Sequence, residues 1–488
     1  MSRDDGHTEP WAGVAETHSA VVFFAGDRAY KLKKPVRLEF LDFSTRADRE
    51  RVCHREVELN RRIARDVYLD VADVVDGSGV LCDHLVVMRR MPASQRLATL
   101  VEVGAEVGDA LRRVAGLLAG LHARSVRSAA ADVAAGVAAL QGRWTENHQT
   151  LERFTPEVFP DGAAAAVHSL ACRYLAGRGK LFESRITRGR AVDGHGDLLA
   201  DDIFCLEDGP RILDCIEFDD RYRLGDGLAD AAFLAMDLER LGRADLGAAF
   251  LAEYAEALGD TWPPSLAHHH IAYRAQVRAR VDSIRAEQGD AASGPRAVRL
   301  LQLARDHLER SRVRLVLVGG APGTGKSTLA AHLAASLDAV VLRSDEVRKE
   351  LAGVPSLAAA PAPFGAGIYA GRSTDATYSK MLDRASLALG MGETVILDAT
   401  WLDDRWRRAA RVVAATTHAD LAELELVVPI EVLAARIGSR GGDPSDATPE
   451  IARRMLATAS PWPEAHRLDA SGAERDTLAL AVRALRDG

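Results

Sequence analysis

Gly320-Ala-Pro-Gly-Thr-Gly-Lys-Ser327 is the most informative motif for the fold of the second half of this 488-residue chain. It matches the pattern G-x-x-x-x-G-K-[ST] and stands between a strand-like apolar run at 314–318 and a helical segment at 326–336. Glycines let backbone N–H groups turn inward to hold phosphate oxygens, and the helix N-terminus adds partial positive charge. The stretch therefore predicts a nucleotide-binding loop. The predicted phosphate-binding residues are Gly320, Ala321, Pro322, Gly323, Thr324, Gly325, Lys326, Ser327 and Thr328.

The chain around this loop alternates between apolar strands and helices. Within the loop, Lys326 is expected to bridge the β- and γ-phosphates and Ser327 to bind Mg²⁺ through its hydroxyl. Strand–helix alternation of this kind predicts an α/β domain of the P-loop NTPase type, with a doubly wound parallel sheet, over 312–488. Two further helices are expected to close the chain. The predicted strands are 314–318, 339–342, 394–397 and 421–428.

Two acidic residues follow strands of this predicted sheet, where side chains point into the crevice above the phosphate loop. Asp345 could take the proton from an acceptor hydroxyl, and Arg348 lies one helical turn later on the same side. Asp398 ends a buried strand and suits a water-mediated Mg²⁺ contact. Both acids also have a plain structural alternative, because residues at the start of a helix often serve as N-caps.

Two arginines near the end of the domain have the spacing of a phosphate clamp. Arg436 and Arg440 are four residues apart on one predicted helix face and precede the loop Gly441-Gly442-Asp443. Two guanidinium groups there could neutralise charge on a transferring phosphoryl group, with the loop acting as a lid. The alternative is a solvated helix face.

The first 310 residues have a different organisation, α+β rather than α/β. A small β-rich lobe is predicted at about 15–91, and a mainly helical lobe follows at about 92–310. His195-Gly196-Asp197 is followed by Asp202, by a tight hairpin at 203–213, and by Asp214. Phosphoryl transfer from a nucleotide needs this set: a base for the acceptor hydroxyl, here Asp197, and oxygen ligands for Mg²⁺, here Asp202 and Asp214.

The β-rich lobe offers two lysines on one face of a predicted strand, Lys31 and Lys33. One of them is expected to reach the α- and β-phosphates and to pair with a glutamate of the following helix, most simply Glu56. We favour Lys31, while a solvated edge strand is the alternative. The glycine-rich loop expected beside such a strand is nearly absent, since only Gly26 lies close to the hairpin.

Both halves resemble known kinase families. Residues 312–488 resemble the P-loop kinases of the gluconate-kinase, zeta-toxin and polynucleotide-kinase types, in which the acid matching Asp345 activates the acceptor hydroxyl. Residues 1–310, most clearly 20–290, resemble aminoglycoside phosphotransferase-like and choline-kinase-like enzymes, whose motif is H-G-D-x-x-x-x-N followed by a metal-binding Asp. Here Asp202 occupies the Asn position. The resemblance implies a protein-kinase-like fold for the first half, and ATP with Mg²⁺ in both halves.

These observations together predict a bifunctional kinase that transfers the γ-phosphoryl group of Mg·ATP to a hydroxyl of a small molecule. The alternative is a regulatory or scaffold protein whose kinase-like first half is inactive, as Asp202 and the missing glycine loop suggest. The acceptor and the oligomeric state stay open. Arg278, Arg280 and Arg285 could line a cleft for an anionic substrate, or form a solvated or ion-paired face.

Composition narrows the function classes. The net charge of −8 argues against a dedicated nucleic-acid binder, including a nucleic-acid end kinase, because such proteins usually carry a basic excess. Five scattered cysteines without a C-x-x-C pair argue against a disulfide framework or a structural zinc site and suit the cytoplasm. No apolar run approaches 18 residues and no secretory signal is visible at the N-terminus, so no membrane association is expected.

Overall fold

The computed structural model describes residues 10–17, 19–38, 41–355, 371–438 and 449–487. The chain divides into two compact units, each built from segments that are separate in sequence. The second unit takes two short segments from the first 310 residues, in addition to the chain that follows residue 307. The segments are Met1–His168, Phe182–Trp262 and His270–His307 for the first unit, and Ser169–Leu181, Pro263–His269 and Leu308–Gly488 for the second.

The first unit begins with an antiparallel sheet of five strands in the order β1-β2-β3-β7-β6. Helix α1 packs against β6 and β7, and buries Cys53 and Val57 in one cluster with Val86 and Met88 of β7. The sequence did not predict β1, because most of its side chains are exposed and it shows no apolar alternation. The elements are β1 (Ala12–Glu16), β2 (Ala20–Ala25), β3 (Arg28–Lys33), β4 (Arg37–Leu38), β5 (Leu41–Asp42), α1 (Arg46–Asn60), β6 (Tyr68–Val75) and β7 (Leu81–Arg89).

The following chain, up to residue 310, is mainly helical and holds two small antiparallel strand pairs, β8 with β11 and β9 with β10. The β9–β10 pair is the hairpin that the sequence predicted between Asp202 and Asp214. The elements are α2 (Leu97–Glu102), α3 (Gly108–Ala123), α4 (Ala129–Ala135), α5 (Val137–Glu152), α6 (Ala163–Gly177), α7 (Gly179–Thr187), β8 (Ala191–Asp193), β9 (Ile203–Leu206), β10 (Gly209–Ile212), β11 (Leu224–Asp226), α8 (Gly227–Arg240), α9 (Ala244–Leu258), α10 (Pro264–Glu287) and α11 (Ser293–Arg310).

The second unit is built on a five-stranded parallel sheet in the order β13-β14-β12-β15-β16. Strand β14 is fully buried and β12 is buried except at Arg314, as their apolar runs predict. The elements are β12 (Arg314–Gly319), α12 (Lys326–Leu337), β13 (Val340–Arg343), α13 (Ser344–Leu351), α14 (Gly371–Gly390), β14 (Val395–Asp398), α15 (Asp404–Thr416), β15 (Asp420–Val427), α16 (Ile430–Gly438), α17 (Pro449–Thr458), β16 (His466–Asp469) and α18 (Glu474–Asp487).

Strand β16 corrects the prediction that only two helices close the chain. It is a short edge strand, and of its four residues only Leu468 is buried. An edge position leaves one side of a strand in solvent, so the apolar run that reveals a central strand is missing. Apart from this strand, the predicted fold classes of both halves are confirmed. Among the described residues, no helix is both long and apolar enough to cross a bilayer.

Candidate functional site

The phosphate loop connects the carboxyl end of β12 to the first turn of α12. Its backbone takes left-handed conformations that favour glycine, with φ of 133° at Gly320, 91° at Gly323 and 93° at Gly325. A Cβ atom on Gly320 would lie 2.5 Å from the carbonyl oxygen of Leu426, so this position has no room for a side chain. Gly325 stands at the N-cap of α12, and the first N–H groups of the helix therefore face the loop.

Three polar side chains meet at this loop. Lys326 Nζ lies across the loop and donates to the carbonyl oxygen of Ala321 at 2.9 Å. Ser327 Oγ donates to Asp398 Oδ2 at 2.6 Å, and Asp398 is 5% exposed. The contact follows from the sheet, because Val318 of β12 pairs with Asp398 of β14 in parallel register. A hydroxyl and a carboxylate this close are the kind of oxygen donors that suit Mg²⁺ together with phosphates.

The acid predicted as a base in this unit, Asp345, lies at the start of α13 with half of its side chain exposed. Arg348 Nη1 donates to Asp345 Oδ1 at 3.0 Å, and Arg348 is 8% exposed. The N-cap alternative is wrong for Asp345, because Arg343 holds that position and Asp345 lies inside the first turn. Burial raises the pKa of Tyr378, whose hydroxyl lies 3.2 Å from Thr400 Oγ1.

The predicted clamp is described only in part. Arg436 lies on α16, and its Nη2 donates to the carbonyl oxygen of Ser471 at 3.4 Å. Arg440 and the predicted lid at 441–443 lie outside the described residues. The clamp role of Arg436 and Arg440 stays a prediction. Two threonines remain among the predicted residues of the phosphate loop. Thr324 is buried, and its hydroxyl donates to the Ala321 carbonyl oxygen at 2.9 Å, while Thr328 is exposed.

In the first unit, both lysines of β3 reach the same glutamate. Lys31 Nζ donates to Glu56 Oε1 at 2.9 Å, and Lys33 Nζ lies 2.6 Å from Glu56 Oε2. Lys31 also pairs with Asp214, a residue 183 positions later in the chain. Burial alone would lower the pKa of Lys31, but the charges of Asp214 and Glu56 raise it well above its ordinary value of 10.5. The lysine is therefore charged and held between a helix acid and the predicted metal-binding acid.

Asp214 itself follows the β9–β10 hairpin in a strained conformation. Its φ of 67° lies in the left-handed region, which costs an ordinary residue about 1–2 kcal/mol. Its backbone N–H donates to the hydroxyl of Tyr68 at 3.0 Å, which helps to hold this turn. Burial opposes ionisation of Asp214, yet Lys31 and Lys33 lower its pKa to about 2. Strain of this kind is often retained at functional sites.

The segment that carries Asp197 is fixed by one buried carboxylate. Asp230 accepts hydrogen bonds at 2.7 Å from the backbone N–H groups of both His195 and Gly196. Its Oδ2 also lies 3.0 Å from His122 Nε2. His195 Nε2 lies 3.0 Å from the carbonyl oxygen of Leu213, which ties the segment to the residue before Asp214. Asp230 is therefore a structural acid that positions the two residues directly before the candidate base.

Asp197, Asp202 and Asp214 influence one another electrostatically. Burial raises the pKa of Asp202 well above its ordinary value of 3.8, and Asp214 and Asp197 raise it further. Burial also raises the pKa of Asp197, against the opposing charge of Arg278. In the part of the chain that is described, no three acidic, His or Cys side chains converge tightly enough to hold a metal alone. The predicted role of Asp202 and Asp214 as Mg²⁺ ligands stays a prediction, and it is chemically suitable because this ion usually takes one or two carboxylates plus phosphates.

Sequence reasoning missed a further member of this site, Glu217. Lys33 Nζ donates to Glu217 Oε1 at 2.5 Å, and both side chains are buried. The charges form a chain, Asp214–Lys31–Glu56–Lys33–Glu217, in which positive and negative groups alternate. A signal was present in the sequence, because two lysines on one strand face need more than one carboxylate if they pack inside the fold. The partner could not be chosen, because it lies 184 residues from Lys33.

Comparison with known proteins shows that each half of the chain matches a protein-family model. Residues 18–268 match the model described as phosphotransferase enzyme family, and residues 315–462 match an AAA domain model. An uncharacterized protein of Mycobacterium tuberculosis (strain ATCC 25618 / H37Rv) is 45% identical over 478 residues, which are 98% of this chain and 96% of that protein. The first model contains all the lysines and acids of the first-unit site, and the second contains the phosphate loop.

Solved structures similar to this chain cover one half each. A choline/ethanolamine kinase family protein from Mesorhizobium loti is 16% identical, and the match covers 62% of this chain and 93% of that chain with a TM-score of 0.38. A gluconokinase from Sinorhizobium meliloti 1021 is 18% identical, and the match covers 36% of this chain and 94% of that chain with a TM-score of 0.28.

Proposed function

Because this chain belongs to the phosphotransferase enzyme family through residues 18–268, and its second half matches an AAA domain model, we propose that it is a bifunctional kinase. Each half would transfer the γ-phosphoryl group of Mg·ATP to a hydroxyl group of a small molecule. The observation that carries this proposal is the meeting of Lys31, Glu56 and Asp214, which come from three distant segments of the chain. Five free cysteines support a reducing, cytoplasmic location.

At the first site, Asp197 would accept the proton of the acceptor hydroxyl as that oxygen attacks the γ-phosphorus. Its side chain is one-third exposed, so an acceptor has access to it. Lys31, positioned by its ion pair with Glu56, would leave Asp214 and bind the nucleotide phosphates instead. Asp214 and Asp202 would then hold Mg²⁺, which neutralises charge on the phosphates when bound. A cation beside Asp202 would lower the pKa of this carboxyl and so favour its ionised form, against the burial and the neighbouring acids that raise it.

At the second site, backbone N–H groups of the phosphate loop and Lys326 would hold the phosphates. Ser327 and Asp398 would hold Mg²⁺, directly or through water. Asp345 would accept the proton from the acceptor hydroxyl, and Arg348 would orient its carboxylate. Arg436 and Arg440 are the proposed phosphate clamp.

One observation favours a second candidate function, in which the first half binds nucleotide only as a regulatory module. The connection between β1 and β2, residues 17–19, contains no glycine, so a glycine-rich cover for the phosphates is missing there. Asp202 also adds a negative charge where the family motif has a neutral Asn. Slow or absent transfer from the first site, with nucleotide binding retained, would support this function.

A screen of ATP consumption tests the proposed transfer reaction. The full chain is offered a panel of hydroxyl-bearing metabolites, with a 5′-hydroxyl oligonucleotide as the nucleic-acid arm. We expect consumption to require an acceptor, and Asp345→Asn to lower kcat with acceptors of the second site by about 10²-fold or more. Asp383→Asn, the same change at an exposed position of α14, should leave kcat unchanged. A wild-type chain that neither binds nucleotide nor consumes ATP with any acceptor would overturn the proposal.

A further inference from the structure

Two arginines of α10, Arg278 and Arg285, interact electrostatically with Asp197, the candidate base of the first site. Arg278 Nη1 is 3.7 Å from Asp197 Oδ1, and Arg285 Nη1 is 3.7 Å from Asp282 Oδ1. Their side chains are 17% and 37% exposed. Since seven residues make about two helical turns, both arginines project from the same face of the helix.

These two guanidinium groups differ from their neighbours on α10 in how they are satisfied. Arg280 donates to Glu146 at 3.2 Å and to Asn147 at 3.1 Å. Arg274 donates to the carbonyl oxygen of Ala229 at 2.8 Å and to that of Gly196 at 3.3 Å. Within the residues that the structure describes, Arg278 and Arg285 make only their two long ion pairs and no hydrogen bond. Their planar N–H groups, which suit bidentate binding of oxygen anions, are therefore available.

The charges around the pair favour a bound anion. Burial lowers the pKa of Arg285, and the nearby charges of Arg278 and Arg296 lower it further. The charge of Asp282 acts in the opposite direction and raises the pKa of Arg285. However, Asp282 also pairs with Arg296, whose Nε lies 3.3 Å from Asp282 Oδ2. Like charges held together in a half-buried position cost free energy, and an anion between them would remove that cost.

Resting on the proposed function, we propose that the acceptor of the first site is an anion that Arg278 and Arg285 bind through a phosphate or carboxylate group near the reacting hydroxyl. The hydroxyl must reach Asp197, and Arg278 lies 3.7 Å from that carboxylate, on the same helix face as Arg285. In the reaction the acceptor oxygen bonds to the γ-phosphorus, the bond from phosphorus to the β–γ bridging oxygen breaks, ADP leaves, and the hydroxyl proton passes to Asp197. Cationic acceptors are disfavoured, because an ammonium group there would face two guanidinium groups.

Anion binding is tested first, on the full chain carrying Lys326→Ala and saturated with Mg·ADP. Inorganic phosphate and acetate are titrated separately by calorimetry, so that the two anion types are distinguished. We expect at least one to bind, and Arg285→Gln to weaken it about tenfold or more, as loss of a charge-assisted hydrogen bond implies. Arg243→Gln removes the same charge at an exposed position paired with Asp245, and should leave the affinity unchanged. Arg278→Lys should retain part of the affinity, because lysine keeps the charge but lacks the planar pair of N–H groups.

Turnover is tested second, with alcohols offered in matched neutral, carboxylated and phosphorylated forms. We expect the anionic member to be phosphorylated with the higher kcat/KM, and Arg285→Gln to raise its KM with little change in kcat. The inference is overturned if neither anion binds the Mg·ADP-loaded chain, if Arg285→Gln leaves anion affinity unchanged in a folded chain, or if neutral acceptors are preferred. If Mg·ADP does not bind to the first site at all, the proposed function fails with it. Circular dichroism establishes that each variant is folded.

Discussion

Asp197→Asn, introduced into a chain that already carries Lys326→Ala, is expected to lower the kcat of the remaining site by about 10²–10⁴-fold. Asn keeps the size of Asp but cannot accept the hydroxyl proton, so the loss should fall on kcat. Nucleotide affinity should change little, because Lys31, Glu56 and Asp214 are the groups that would meet the phosphates. The Lys326→Ala background removes turnover by the second site from the measurement.

The matched control for this variant is Asp208→Asn. Asp208 lies between β9 and β10 with a side chain that is 65% exposed, and its loss should leave kcat unchanged. Equal kcat in the Asp197→Asn chain and in its parent would contradict a catalytic role for Asp197. If the parent has no turnover yet still binds Mg·ATP, the regulatory function of the first half would be favoured instead.

Asp230→Asn is expected to destabilise the first unit by about 3–5 kcal/mol, the range for breaking a buried charged network. Asp230 is 3% exposed, and its two oxygens accept from the N–H groups of His195 and Gly196 and contact His122. An amide would turn one of these acceptors into a donor that faces another N–H group. Urea unfolding followed by hydrogen exchange in peptides from 191–258 reports on this region separately from the rest of the chain.

The carboxylate of Asp230 also makes the stability of the first unit depend on pH, in a direction that can be predicted. Burial alone would raise the pKa of Asp230, but its hydrogen bond with His122 and the charges of His122, His195 and Arg274 lower it below its ordinary value of 3.8. A carboxyl with a lowered folded pKa stabilises the fold above its unfolded pKa, and this stabilisation is lost as the pH falls through the folded pKa. The stability difference between wild type and Asp230→Asn should therefore narrow below about pH 4.

Asp245→Asn is the control for both stability experiments, since Asp245 is exposed and pairs only with Arg243 among the described residues. It should leave the unfolding midpoint of the same peptides unchanged. A midpoint for Asp230→Asn equal to that of wild type near neutral pH would contradict the structural role of Asp230. A difference that stays constant down to pH 2 would contradict the lowered pKa.

The parts of the sites that could be predicted from sequence are those carried by neighbouring residues. The phosphate loop is one run of residues between a strand and a helix, so its pattern predicted its conformation. The spacing from Asp197 through the hairpin to Asp214 was readable for the same reason, because the hairpin is local. The resemblance of both halves to phosphotransferase and P-loop families is confirmed, while the roles of these residues stay predictions.

What could not be predicted depends on contacts between distant segments. We expected one of Lys31 and Lys33 to pair with Glu56, but both lysines contact it, each through a different carboxylate oxygen. The contact of Glu217 with Lys33 and that of Arg278 with Asp197 come from packing of segments that the sequence does not order in space. Strand β16 was missed because an edge strand of mixed polarity lacks the apolar run of a central one.

Equilibrium dialysis with a non-hydrolysable ATP analogue and Mg²⁺ tests most directly the claim that this chain holds two separate nucleotide sites. We predict two analogue molecules bound per wild-type chain, one in Lys31→Met, one in Lys326→Met and none in the double variant, each shown by circular dichroism to be folded. Fewer than two bound per wild-type chain, or binding that either single variant leaves at the wild-type level, would contradict the account.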